Sequence, residues 1–238
     1  MHDYNRNARA YWWSIAIIGF VILANALFSI AALPATSILQ IALIAVFVCA
    51  VAFFPVTIPG TSISFAGGEI FIFLALLLFG VEAAAVVAAL EGAIGAARTS
   101  KRWTSWFATP FMAALATSVS GYGFLVTKAM LERHELLSGA TILLLLTVFA
   151  LVYYALCNFL PSMLLAIKRN ERLEVLGLLK DRNWMAMGHV CSIAVASLVH
   201  LADPTVDVWV LFAALPLIFL SHWTVHTMLE HADVELRA

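Results

Sequence analysis

Residues 55–102, PVTIPGTSISFAGGEIFIFLALLLFGVEAAAVVAALEGAIGAARTSKR, break a chain otherwise written in long apolar runs into a polar loop and two short hydrophobic segments. Two carboxylates, Glu69 and Glu91, stand inside or against those segments. Both features are costly in lipid, where backbone N–H and C=O groups find no water and a charge loses its hydration. The stretch therefore points to a cavity, a packed interface or a ligand site, not to plain anchoring. It does not name a ligand.

Working outward, the 238 residues are 63% hydrophobic and 11% charged, with a mean hydropathy of +0.99, which places the chain among integral membrane proteins. The formal net charge of -1 excludes a nucleic-acid partner, since a phosphate-binding face needs clustered Lys and Arg and here they are spread among loops. Cys49, Cys157 and Cys191 are odd in number and set in apolar text, so they read as packing residues with neither a disulfide framework nor a zinc knuckle.

Spans of roughly 20 residues are predicted at 11–33, 36–56, 68–80, 83–97, 106–127, 140–167, 184–201 and 208–228. The expected fold is all-α, a polytopic transmembrane helix bundle of about eight helices, two of them short. Arg6 and Arg9 precede the first span, Arg98, Lys101 and Arg102 follow the fourth, and Lys168, Arg169, Arg172, Lys180 and Arg182 follow the sixth. The positive-inside rule puts these groups on one side and both termini in the cytoplasm. Lys128 and Arg133 fall on the expected outer side and run against the rule. A six-crossing version, with 68–97 as a re-entrant hairpin, keeps the same orientation elsewhere. The first span also carries the Arg and small residues of a secretory signal, but its apolar stretch is too long for one. Residues 1–238 thus read as a single membrane domain.

The longest polar stretch, 168–183, spaces Leu173, Leu176 and Leu179 three apart among charges, as a short helix on the cytoplasmic membrane face would. It reads as an anionic-lipid anchor or as a lever between the spans it joins. Near the end of the chain, Val225, Leu229, Ala232 and Leu236 step by four, three and four, a heptad seam. Residues 229–238 are then either a frayed helix end or the opening of a signalling helix.

Glu91 is mid-span, where a carboxylate costs about 2.5–3.5 kcal/mol on insertion scales. Ala84, Ala88, Gly92 and Ala96 form a small-residue ridge beside it, the pattern that lets another helix approach closely. Glu91 serves either a structural hydrogen bond or a ligand or proton site. Glu69, after Gly67 and Gly68, favours the N-terminal dipole of the third helix or joins such a site. Asn25 and Asn158 read as interhelical hydrogen-bond residues, with Asn158 a further candidate for ligand contact. Pro161 and Pro216 are expected to kink their helices.

His222 and His226 share a helix face at i and i+4, a spacing used by zinc and haem sites, and the topology places His189 in the same leaflet. No HExxH or Cys pair stands near them in sequence, and His with Trp184 and Trp223 also describes a membrane interface. The sequence assigns no cofactor. It carries no nucleophile elbow, phosphate loop or paired-carboxylate signature, so no catalytic residue is assigned.

The run 63–92, ISFAGGEIFIFLALLLFGVEAAAVVAALEG, resembles a recurring element of bacterial multi-span sensors: a loop ending in a tight turn, an apolar helix closing in LFG, then an Ala-rich helix. The resemblance is to MASE-type membrane-associated sensor domains, which precede diguanylate cyclase (GGDEF) and related cyclic-di-GMP modules. Substrate-binding subunits of energy-coupling-factor vitamin transporters are similar over the same stretch. The MASE likeness implies a bacterial inner-membrane sensory domain that binds a small molecule or senses a membrane property, relays it through its C-terminal helix, and pairs as a homodimer. No GGDEF, EAL or HD motif occurs, so the chain itself is not expected to be an enzyme, and it reads either as a sensor domain cut from a longer protein or as a stand-alone relative. A solute-binding or transport module is the alternative, followed by an intramembrane metal or haem protein.

Overall fold

The computed structural model describes residues 4–53, 56–57, 64–65, 68–136, 138–171, 189 and 192–197. Six helices follow one another: α1 (Arg6–Ala31), α2 (Ala35–Ala52), α3 (Glu69–Phe79), α4 (Val81–Thr99), α5 (Trp103–Arg133) and α6 (Gly139–Arg169). Residues 192–197 are helical as well. Between α2 and α3, β1 (Val56–Thr57) pairs antiparallel with β2 (Ser64–Phe65), Val56 opposite Phe65. This two-residue bridge is the only β structure among the described residues, so the architecture is that of a helical bundle.

Four helices, α1, α2, α5 and α6, are long and apolar enough to cross a membrane. α4 carries Glu82, Glu91 and Arg98 within its 19 residues. α3 has 11 residues, about 16 Å of helix against a hydrocarbon thickness near 30 Å. It reaches only about half-way. Its sequence is apolar nearly all round, and Phe71 to Leu76 are all buried, as expected of a helix enclosed by others.

Two local devices set the bundle. Asn5 caps α1, its side chain accepting from the Ala8 N–H at 2.7 Å while its amide nitrogen donates to Ile167 O at 2.7 Å. α3 passes to α4 through Gly80 alone, at φ 91° and ψ -175°, a conformation essentially reserved for glycine. No loop intervenes, and the two helices fold back on each other.

The small-residue ridge of α4 does what its spacing predicts. Ala84, Ala88 and Ala96 are buried, and Gly92 lies so near α5 that an added Cβ would sit 3.3 Å from Thr109 O and 3.4 Å from the Pro110 Cα. Ala85 and Ala89 form a second small-residue face, packed on Ala114 of α5 and flanked by Ile22 and Leu23 of α1. Small side chains on two faces let α4 lie deep between α1 and α5.

Among the described residues, Arg98 and Lys168 lie toward the end of the bundle where α1 begins and α2 ends. Lys168 stands over the Tyr4 ring, Arg98 stands over Phe53 at the end of α2, and Trp12 Nε1 donates to Thr104 O near the start of α5. Lys128 and Arg133 lie toward the other end of α5, where Lys128 pairs with Glu132 at 3.8 Å and Tyr122 donates to Glu82 at 2.7 Å. The residues that run against the charge rule therefore sit apart from Arg98 and Lys168. Arg172, Lys180 and Arg182, which the charge reading also used, lie outside the described residues.

Candidate functional site

Within the interruption at 55–102, α3 and the first half of α4 carry much of the buried core. Because α3 and α4 form a hairpin about Gly80, the first residues of α3 come to lie beside the middle of α4. There Glu91 Oε1 accepts a hydrogen bond from the Gly68 N–H at 3.0 Å. Gly68 is required at this point, since a Cβ would collide with the Glu91 carboxylate and with Val48 of α2. Glu91 lies seven residues before Arg98 on α4, about 10 Å of helix, so the contact is set in from the basic end of the bundle.

Glu69 occupies the first turn of α3, where the helix dipole favours a carboxylate, and is 8% exposed. Its Oε1 faces His189 Nε2 at 3.6 Å, an ion-pair distance longer than a hydrogen bond. Its Oε2 is buried and, among the described residues, has no hydrogen-bond partner. An unpartnered buried acceptor costs about 1–3 kcal/mol. The Gly68 N–H on Glu91 and His189 against the adjacent Glu69 bring two carboxylates and an imidazole to one junction at the start of α3.

Aromatic rings form its wall. The His189 ring lies 5.3 Å from Tyr154, 5.7 Å from Tyr153 and 6.4 Å from Phe73. Phe73 in turn packs edge-on against Phe149 at 5.4 Å. Tyr153 also meets Cys157 one turn along α6. α3, α4, α6 and the segment bearing His189 thus each contribute one polar group or more.

Of the residues singled out in sequence, Glu69, Glu91 and His189 come together. Asn158 is buried on α6, and its side chain donates to Tyr154 O at 2.8 Å within its own helix. The fold brings Glu69, distant in sequence, against His189. Among the described residues, no group of three His, Cys, Asp or Glu side chains is arranged to hold a metal ion. His222, His226, Pro216, the seam from Val225 to Leu236 and most of the 168–183 stretch lie outside the described residues.

Sequence reasoning missed Tyr153, Tyr154, Cys157 and Phe73. A signal was present: Tyr153, Tyr154, Cys157 and Asn158 place polar atoms three to five residues apart on one helix within an apolar run. Comparison with protein-family models, with curated proteins and with solved structures finds no match.

Proposed function

We propose that this chain is a membrane-embedded sensory input domain whose input site is the Glu69–Glu91–His189 cluster. One observation carries the reading: the Glu69 Oε2 is buried without a partner among the described residues, beside a second carboxylate, where three helices and the His189 segment meet. A buried acid retained at such a cost suits a group that takes up a proton, a cation or a hydrogen-bond donor of a small molecule. Any change there alters the contacts of α3, α4 and α6 together, which is how a local event biases two packings of a bundle.

In this reading the bundle crosses the bacterial inner membrane with both termini cytoplasmic, eight helices in all, and the helix through Val225, Leu229, Ala232 and Leu236 carries the change to a cytoplasmic partner or output domain as a homodimer. The likeness of residues 63–92 to MASE-type domains supports cyclic-di-GMP signalling as that output. With a diguanylate cyclase domain joined after Ala238, output should respond to the wild-type membrane domain and lose its response in Glu91→Gln. Equal response in both sinks the reading.

A second reading, a solute-binding or transport module, is favoured by one feature, the half-length helix α3 that begins inside the bundle. Uptake of solute by the purified chain in proteoliposomes, alone or with an ATPase partner, would support transport and count against the sensor.

A further inference from the structure

The geometry of α1 and α5 points to a binding groove for an anionic phospholipid, separate from the carboxylate cluster. Trp12, Trp13, Phe20, Trp103, Phe107 and Phe111 line an apolar groove of about 410 Å³ between these helices. Beside it, Gly19 of α1 lies against Phe111 so closely that a Cβ would collide with it, which holds the two helices together. The side walls stand out from the bundle, with Trp13, Phe20 and Phe107 each more than half exposed.

The two helices run parallel. Trp12 bonds to Thr104 O, and one heptad further on Gly19 meets Phe111, so the register is constant. Arg6 and Arg9 lie seven and four residues before Trp13 on the same face of α1, and Lys101 and Arg102 directly precede Trp103, the first residue of α5. All four are exposed. An apolar lipid-facing surface is ordinary in a membrane protein. A concave one, walled by six aromatic rings and with exposed basic residues at the start of both helices, matches a molecule with a negative head and long tails. The aromatic rings give such tails a preformed, rigid bed.

Charge complementarity selects the occupant. A zwitterionic lipid fills the groove without using the basic residues, and a partner helix fills it without needing a negative end. The bound lipid belongs to the leaflet on the basic side of the bundle, and it bridges α1 and α5 where Trp12 already ties them.

The test is retention of lipid by the full chain, reconstituted in vesicles of phosphatidylcholine mixed with phosphatidylglycerol, extracted in mild detergent and weighed by native mass spectrometry. Phosphatidylglycerol should remain bound well above its share of the vesicle. Arg9→Gln combined with Lys101→Gln should cut that retention on the order of tenfold, and Trp13→Ala combined with Phe20→Ala should abolish it. Lys128→Gln, at the far end of α5, should leave it unchanged. Arg9, Lys101, Trp13 and Phe20 are exposed, and a single symmetric elution peak verifies that each variant is folded. Equal retention of the two lipids, or retention indifferent to the basic pair, overturns the proposal. So does disulfide capture of a second copy through Trp13→Cys in the vesicle, which would make the groove a protein interface.

Discussion

The backbone N–H of Gly68 and the carboxylate of Glu91 are joined by a 3.0 Å hydrogen bond that ties the start of α3 to the middle of α4. The bond satisfies one of the N–H groups that a helix start leaves without an internal partner. It also gives a mid-bundle carboxylate a fixed place. Glu69, the next residue, is thereby held against His189 at 3.6 Å. A single contact thus orders both acids of the candidate site.

Glu91→Ala should be more destabilising than Glu91→Gln. The amide of Gln retains an oxygen that can accept from Gly68, whereas Ala leaves that N–H without its partner, at about 1–3 kcal/mol. Unfolding in mixed detergent micelles measures the difference. Equal stabilities would show that the Gly68 bond contributes nothing.

Gly68→Ala should also destabilise, by about 1–3 kcal/mol, as overpacking does in well-filled interiors. The new methyl group would meet both the Glu91 carboxylate and Val48. Shortening the acid in Gly68→Ala with Glu91→Ala should return part of the loss, so the two effects should be non-additive. Strict additivity in the melting of the three variants would contradict the contact.

Gly80→Ala tests the hairpin. With φ at 91°, an alanine is strained there by about 1–3 kcal/mol even though its Cβ would meet only Glu82 Oε2, at 3.5 Å. The expected result is a lower melting temperature together with easier proteolysis between α3 and α4. A wild-type melting curve would mean that the junction adopts another conformation.

Glu69 and His189 should be coupled. A double-mutant cycle with Glu69→Gln and His189→Gln is expected to show an interaction energy on the order of 1 kcal/mol, the range for groups in one buried network. Independent effects would place His189 elsewhere than against α3.

Much of this arrangement is legible in the sequence, for identifiable reasons. A break expected between 80 and 83 is the Gly80 junction, since glycine alone tolerates the required backbone and Glu82 suits the first turn that follows. The four-residue ridge through Ala84 and Gly92 predicts close packing, and α5 is what packs there. Reading span ends from hydropathy is less accurate: 106–127 becomes Trp103–Arg133, because helical hydrogen bonding continues through Lys128 and Glu132, which pair across one turn. Proximity of Glu69 to His189 is not legible at all. Helical periodicity reports which residues share a face, and nothing local reports which distant helix that face will meet.

The account turns on whether the buried cluster governs the state of the bundle. The most direct measurement is cyclase output from a diguanylate cyclase domain joined after Ala238, compared among wild type, Glu69→Gln, Glu91→Gln and Lys128→Gln at matched membrane levels. A shift of the packing equilibrium by about 1.4 kcal/mol changes the ratio of states tenfold. Glu69→Gln and Glu91→Gln should therefore move output severalfold while Lys128→Gln leaves it at the wild-type level. Wild-type output from both cluster variants, in folded protein, would contradict the assignment of Glu69, Glu91 and His189 as the input site.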